Sequence, residues 1–131
     1  MSDQTNAPGT IGWMDLTIKD GSVNATDVRD FYEQVVGWSG QSVAMDGYDD
    51  FCMQASNGQT VSGICHAKGE NADIPTAWLI YINVADIEAA ITKCQSHGGE
   101  LLKPASSAGG GRFAVLKDPA GAIFAVYQAN D

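Results

Sequence analysis

Basic residues are scarce: seven Lys and Arg stand against sixteen Asp and Glu, for a formal net charge of -9. Such a chain repels phosphate backbones and anionic membrane surfaces, so nucleic acid is excluded as an expected partner. Cysteine is sparse too. Cys52, Cys65 and Cys94 are odd in number and show no CxxC spacing, so neither a disulfide framework nor a cysteine zinc site is encoded. Histidine occurs only at His66 and His97. No apolar run approaches the roughly 18–20 residues of a membrane span, and Met1 to Thr10 has neither the positive flank nor the apolar centre of a signal peptide. The expectation is a soluble, cytoplasmic protein without a membrane partner.

What is present is periodic. After a polar stretch, Met1 to Pro8, which reads as a loose arm, Ile11 to Lys19 alternates: Met14, Leu16 and Ile18 point one way, and Trp13, Asp15 and Thr17 the other. Thr26 or Asp27 is a plausible N-cap for a helix carrying Val28, Phe31, Tyr32, Val35 and Val36 at helical spacing, and Gly37 stops it. Trp38 to Met45 and Phe51 to Ala55 read as strands around the acidic turn Asp46 to Asp50, and Asn57-Gly58 turns the chain into a strand from Gln59 to His66. A polar linker, Lys68 to Pro75, comes next.

The pattern then begins again. Leu79 to Val84 alternates, with Leu79, Tyr81 and Asn83 on one side, and Ile87, Ala90, Ile91 and Cys94 recur at helical spacing up to Gly98-Gly99. Glu100 to Lys103 is a short strand. The apolar runs on either side of Asp118-Pro-Ala-Gly121 form a hairpin, because Pro presets its φ, Asp bonds the local backbone and Gly relieves a strained φ. The result is a β-α-β-β-β unit written twice, a repeat of about fifty residues in pattern rather than identity.

Asp20 ending the first strand, Phe31-Tyr32 before Gly37-Trp38, Val84-Ala-Asp86, His97-Gly98-Gly99, Gly111-Arg-Phe-Ala-Val-Leu116 and Asp118-Pro-x-Gly121 occur in an order that resembles the vicinal oxygen chelate superfamily. That superfamily holds glyoxalases, bleomycin-resistance proteins and extradiol dioxygenases, and the likeness is greatest to small bacterial glyoxalase-like proteins. It implies an α+β fold of two paired β-α-β-β-β modules, with curved mixed sheets around a cavity and the helices outside. On that template the chain is one domain, with module one at about 9–67, a linker at 68–76 and module two at about 77–128. The resemblance also implies a homodimer, with Trp13, Asp15, Thr17, Leu79, Tyr81, Asn83, Ala125 and Tyr127 looking into the cavity while Met14, Leu16 and Ile18 pack under helices.

Metal-using members of the superfamily place His, Gln or Glu on each module's first and last strands. Counting from the two aspartates and the two turn glycines puts Trp13, Ser62, Leu79 and Ala125 there, which is no ligand set for a divalent ion. Neither a metal nor another cofactor is expected. A one-residue shift would bring His66, Cys65 and Asp15 forward instead, but His66 lies near a strand end and His97 suits a helix C-terminus.

Trp13, Tyr81 and Tyr127 then supply aromatic walls and Asp15 a carboxylate, a combination that suits a flat or cationic small organic ligand. Trp13, Asp15 and Tyr81 are expected to share one pocket. Equally, the aromatics could fill the space and Asp15 could cap backbone or pair with Arg112. Asp15 is also the candidate catalytic base, since burial raises a carboxyl pKa. Cys65 would need His66 as its base, yet strand neighbours face opposite ways, so it reads as a core residue. Ala105 to Gly111 reads as a flexible connection or a lid, and Arg112 at its base could meet an anionic ligand, Asp15 or Glu100. The function expected is binding of a small organic molecule, by sequestration or metal-free chemistry. A metal-dependent lyase, isomerase or dioxygenase with an unorthodox site and a degenerate regulatory module are the alternatives.

Overall fold

In the computed structural model residues 6–69 and 72–130 are described. The chain divides into two compact units, Met14–Trp78 on one hand and Met1–Trp13 with Leu79–Asp131 on the other. The element order is the expected repeat: β1 (Ile11–Ile18), α1 (Ala25–Val36), β2 (Ser39–Ala44), β3 (Asp49–Gln54) and β4 (Thr60–His66), then β5 (Trp78–Asn83), α2 (Ile87–Ser96), β6 (Glu100–Ala108), β7 (Gly111–Lys117) and β8 (Ile123–Ala129).

In the first unit the strands lie in the order β2-β3-β4-β1, with β1 parallel to β4 and the other pairs antiparallel. The alternation of β1 decides which face α1 covers. Leu16 and Ile18 join Phe51, Met53 and Ile64 beneath Ala25, Val28 and Tyr32. Met14 shares their parity but stays 37% exposed and outside this core. The helix starts earlier than its Thr26 or Asp27 signal: Asn24 is the N-cap, its side chain accepting from Asp27 N while Asp27 accepts from Asn24 N, each at 3.1 Å. Asp27 is therefore the return half of a capping box. Gly37 ends the helix at φ 78°, a conformation that costs glycine little. Trp38 stacks on Tyr32, and Trp78 Nε1 donates to the Tyr32 hydroxyl at 2.9 Å. The acidic turn is shorter than expected, because Asp49 and Asp50 already belong to β3.

In the second unit the order is β5-β8-β7-β6, with β5 parallel to β8. Asp86 caps α2 by accepting from Ala89 N, and Ile87 and Ile91 press onto Ala114, Leu116 and Val126. The Asp118 carboxylate accepts from Ala120 N and Ala122 N at 2.9 Å, and Gly121 sits at φ 93°, so the turn forms as its sequence predicts. β6 is a correction. It runs through Ala108, leaving only Gly109-Gly110 as the turn, so the connection or lid expected from Ala105 onward is mostly strand. Of two register shifts flanking Lys103, the second spans Pro104, whose missing N–H suits an irregular stretch of an edge strand.

Residues 1–5 of the polar arm lie outside the described residues, but the chain from Gly9 onward is tied down. Gly9 N donates to Asn83 O at 2.7 Å, Asn83 N to Thr10 O at 2.8 Å, and Asn83 Nδ2 to Thr10 Oγ1 at 2.9 Å. Residues 70 and 71 of the linker are likewise outside. Ile74, beyond them, is buried and anchors that stretch.

Candidate functional site

Each unit keeps one sheet face under its helix and turns the other away from it. Partners in a strand pair share a face, so the register assigns the sides. In the first unit Asp15 stands level with Gly63, Gly63 with Cys52, and Thr17 with Cys65. These oppose Leu16, Ile64 and Met53, which lie under α1. Asp15 and Thr17 are therefore on the helix-free face, and Cys65 is there with them.

Asp50, which shares the parity of Cys52, holds the end of β4, where His66 is level with Ile18. Its Oδ1 accepts from His66 N at 2.8 Å and lies 3.2 Å from His66 Nδ1, with Asp50 and His66 both buried. The His66 ring meets Tyr48 edge-on at 5.2 Å, and Lys68 Nζ lies 5.0 Å from the Tyr48 ring centre. Burial pushes the Cys65 thiol well above the ordinary range; the charges of Asp15, Asp50 and Cys52 and a hydrogen bond to Asp50 push the same way. Such a thiol donates hydrogen bonds and is a poor nucleophile near neutrality. Cys65 is expected to be the slowest of the three cysteines to alkylate at pH 8, as read by peptide mapping after iodoacetamide. The unfolded chain loses this proton in the ordinary thiol range while the folded chain holds it. Stability should therefore fall as pH rises past that range, and intact Cys65 reacting first would refute the assignment.

In the second unit Tyr81 stands level with Ala125, and Asn83 with Tyr127; Val115 and Phe113 oppose Ala125 and Tyr127 from β7. All lie opposite Ala114, Leu116 and Val126, the α2 side. Tyr81 and Phe113 are buried with ring centres 5.9 Å apart, and Lys103 Nζ lies 5.6 Å from the Phe113 ring. Tyr127 donates its hydroxyl to Gly109 O at 3.0 Å, and its ring fills the space a side chain at Gly111 would need, 2.6 Å from an added Cβ.

The structure thus brings Tyr81, Asn83, Ala125 and Tyr127 onto one face of the second unit, and Asp15 and Thr17 onto the corresponding face of the first. Leu79 shares the parity of Tyr81 and is fully buried; Trp13 is half-buried in β1. Arg112 goes elsewhere. It stands level with Gln128 on the α2 side and reaches Glu88 at 3.1 Å, rather than Asp15 or Glu100. His97 closes α2, its Nδ1 donating to Lys93 O at 2.8 Å. Asp50, Phe113 and Lys103 were missed by sequence reasoning, although the alternation through Arg112-Phe113-Ala114 already pairs Phe113 with Tyr127 in parity.

The divalent ion implied by the family resemblance meets no suitable donors at the positions counted for it. Ser62 pairs with Met53 on the α1 side, so the residue level with Asp15 is Gly63, which has no side chain. Leu79 and Ala125 are buried hydrocarbon, and Trp13 offers only indole. These residues do not fit a divalent cation. Among the described residues, no group of at least three His, Cys, Asp or Glu is arranged to hold one.

Comparison with known proteins agrees with the architecture. The chain is 32% identical, over 93% of its length, to a putative glyoxylase CFP32 of Mycobacterium tuberculosis, and 30% identical over 93% to the anthracycline biosynthesis protein DnrV of Streptomyces peucetius. It spans about half the length of these relatives, 46% and 48% respectively. Among solved structures, a single-site variant of Streptomyces coelicolor methylmalonyl-CoA epimerase in complex with 2-nitronate-propionyl-CoA matches with TM-score 0.54 at 16% identity, covering 95% of this chain and all of that one. A Mn(II)-bound glyoxalase from Novosphingobium aromaticivorans matches with TM-score 0.56 at 15% identity, covering 95% of this chain and 42% of its own. At such identities the likeness is one of fold. A family model matches residues 23–126, from just before α1 into β8, and with the β-α-β-β-β order repeated in both units the chain belongs to the Glyoxalase/Bleomycin resistance protein/Dioxygenase superfamily.

Proposed function

We propose that this protein binds a small, flat organic molecule on the helix-free side of its sheet modules, each face offering its own contacts, by sequestration or by chemistry that needs no divalent metal. The observation that carries the reading is the make-up of those faces. The positions counted for metal donors hold Trp13, Ser62, Leu79 and Ala125, while buried aromatics, Tyr81 and Phe113, lie on the face of Ala125 in one unit and a carboxylate, Asp15, stands level with Gly63 in the other. Aromatic faces favour planar ligands through dispersion and offset stacking, and the carboxylate favours a cationic or hydrogen-bond-donating substituent. Thr17 adds a polar group to the first unit's face and Asn83 one to the second's. The relatives named for glyoxylase activity and anthracycline biosynthesis, and the epimerase solved with a CoA ester, are consistent with small-molecule work. Homodimeric assembly, residence in the cytoplasm and a role for Asp15 as general base are carried in the same proposal.

The test uses chelator-treated protein titrated with benzylamine and with benzoate, followed by intrinsic fluorescence. Saturable binding of at least one probe, unchanged by EDTA, is expected, with no rise in melting temperature on adding Zn, Ni, Mn or Fe. One tight equivalent of divalent metal by elemental analysis, or binding that vanishes with chelator, overturns the metal-free reading. Failure of both probes to bind overturns the binding reading.

A further inference from the structure

On a regular strand residues three apart face opposite ways, yet Lys103 and Ser106 of β6 face the same way. Lys103 stands level with Val115 and Ser106 with Phe113, so β6 advances three residues while β7 advances two, and the register shift between them turns Ser106 onto the helix-free face. Bulges on edge strands commonly re-aim a side chain in this manner. The re-aimed group is a hydroxyl with nothing to bond. Ser106 Oγ is shielded from solvent and has no hydrogen-bond partner among the described residues. A buried polar atom left so is destabilising, which a well-made core does not carry without cause. Lys103 meanwhile holds its ammonium 5.6 Å from the ring centre of Phe113, the residue level with Ser106, and that ring lies against Tyr81.

An O–H donor and an ammonium beside the same aromatic side chain are matched to one kind of partner. From this juxtaposition we infer that Ser106 and Lys103 form an acceptor-binding subsite, which holds the anionic oxygen of an aromatic carboxylate or phenolate at the edge of Phe113. The hydroxyl donates one charge-assisted hydrogen bond, and the ammonium supplies the opposite charge without the bidentate geometry of an arginine. The inference rests on the small-molecule reading above and gives its ligand an acidic end. Asp15, on the other unit's face, plays no part in it.

Benzoate is the probe, with benzylamine as its counterpart of opposite charge. Wild-type protein, Ser106→Ala and Lys103→Met are titrated with each by fluorescence, and their melting temperatures are measured without probe. Saturable benzoate binding is expected, weakened about tenfold in Ser106→Ala, the change expected for one hydrogen bond to a charged group, and several-fold in Lys103→Met. Without probe, Ser106→Ala should melt no lower than wild type, because the hydroxyl it removes satisfies nothing in the fold; a purely structural serine would show the reverse. Benzylamine binding that persists while benzoate fails to bind, or benzoate affinity unchanged in both variants, overturns the subsite and leaves the broader reading standing. Neither probe binding overturns both.

Discussion

Asp50→Ala is expected to lower the folding free energy by about 3 kcal/mol, measured as the shift in urea midpoint at constant slope. The magnitude comes from what loses its acceptor. Asp50 Oδ1 accepts from His66 N and lies beside His66 Nδ1, in a setting where Asp50 is 6% and His66 9% exposed. Alanine leaves a buried N–H and a buried imidazole without the oxygen they share. Each buried donor so orphaned costs roughly 1–3 kcal/mol, and the sum is moderated because water can enter a site at a strand end. Asp50→Asn keeps an acceptor oxygen and should recover more than half of the loss. A fall below about 1 kcal/mol for the alanine variant would show that the carboxylate does not hold the end of β4 in place.

Much of this architecture is legible in the sequence because its punctuation is chemical. Gly37 and Asp118-Pro-Ala-Gly121 end or turn their elements for reasons of φ and local hydrogen bonding that tertiary packing does not override. The helix-free face of the second unit is legible for a related reason. β5 and β8 pair without a shift over Tyr81, Ile82 and Asn83, so simple alternation assigns Tyr81, Ala125 and Tyr127 correctly to one side. Where pairing is irregular, alternation fails. The shift between Met53 and Gln54 puts one extra residue into β4, and counting forward from Gly58 then lands on Ser62 under α1 instead of Gly63 opposite it. The two shifts in β6 hide Ser106 in the same way, and they turn an apparent flexible connection into strand. Long-range partners are hidden for a different reason. Nothing local to Asp50 announces that its carboxylate meets an amide sixteen residues on, and Arg112 carries no mark that selects Glu88 over Asp15.

Asp15→Asn should weaken benzylamine by roughly 1–3 kcal/mol, a loss of about five- to 150-fold, while changing folding stability little. The argument begins with placement. Asp15 is level with Gly63, whose lack of a side chain leaves the carboxylate's neighbour on β4 bare, and the face concerned is the one α1 does not cover. It continues with charge. Thr17, two positions along β1 from Asp15, is level with Cys65, so the carboxylate and the thiol lie on one face, and the charge of Asp15 is among the causes that push the Cys65 thiol up. An ammonium there gains a charge-assisted hydrogen bond that the asparagine amide, neutral and isosteric, returns only in part. Stability is largely spared because asparagine preserves size and keeps one acceptor oxygen on a half-buried strand position. Benzoate provides the internal control: removing a negative charge cannot weaken an anion electrostatically, so its affinity should hold or rise in the same variant. Benzylamine binding unchanged in Asp15→Asn would remove Asp15 from recognition. Equal loss of both probes would instead mean that the substitution had disturbed the sheet.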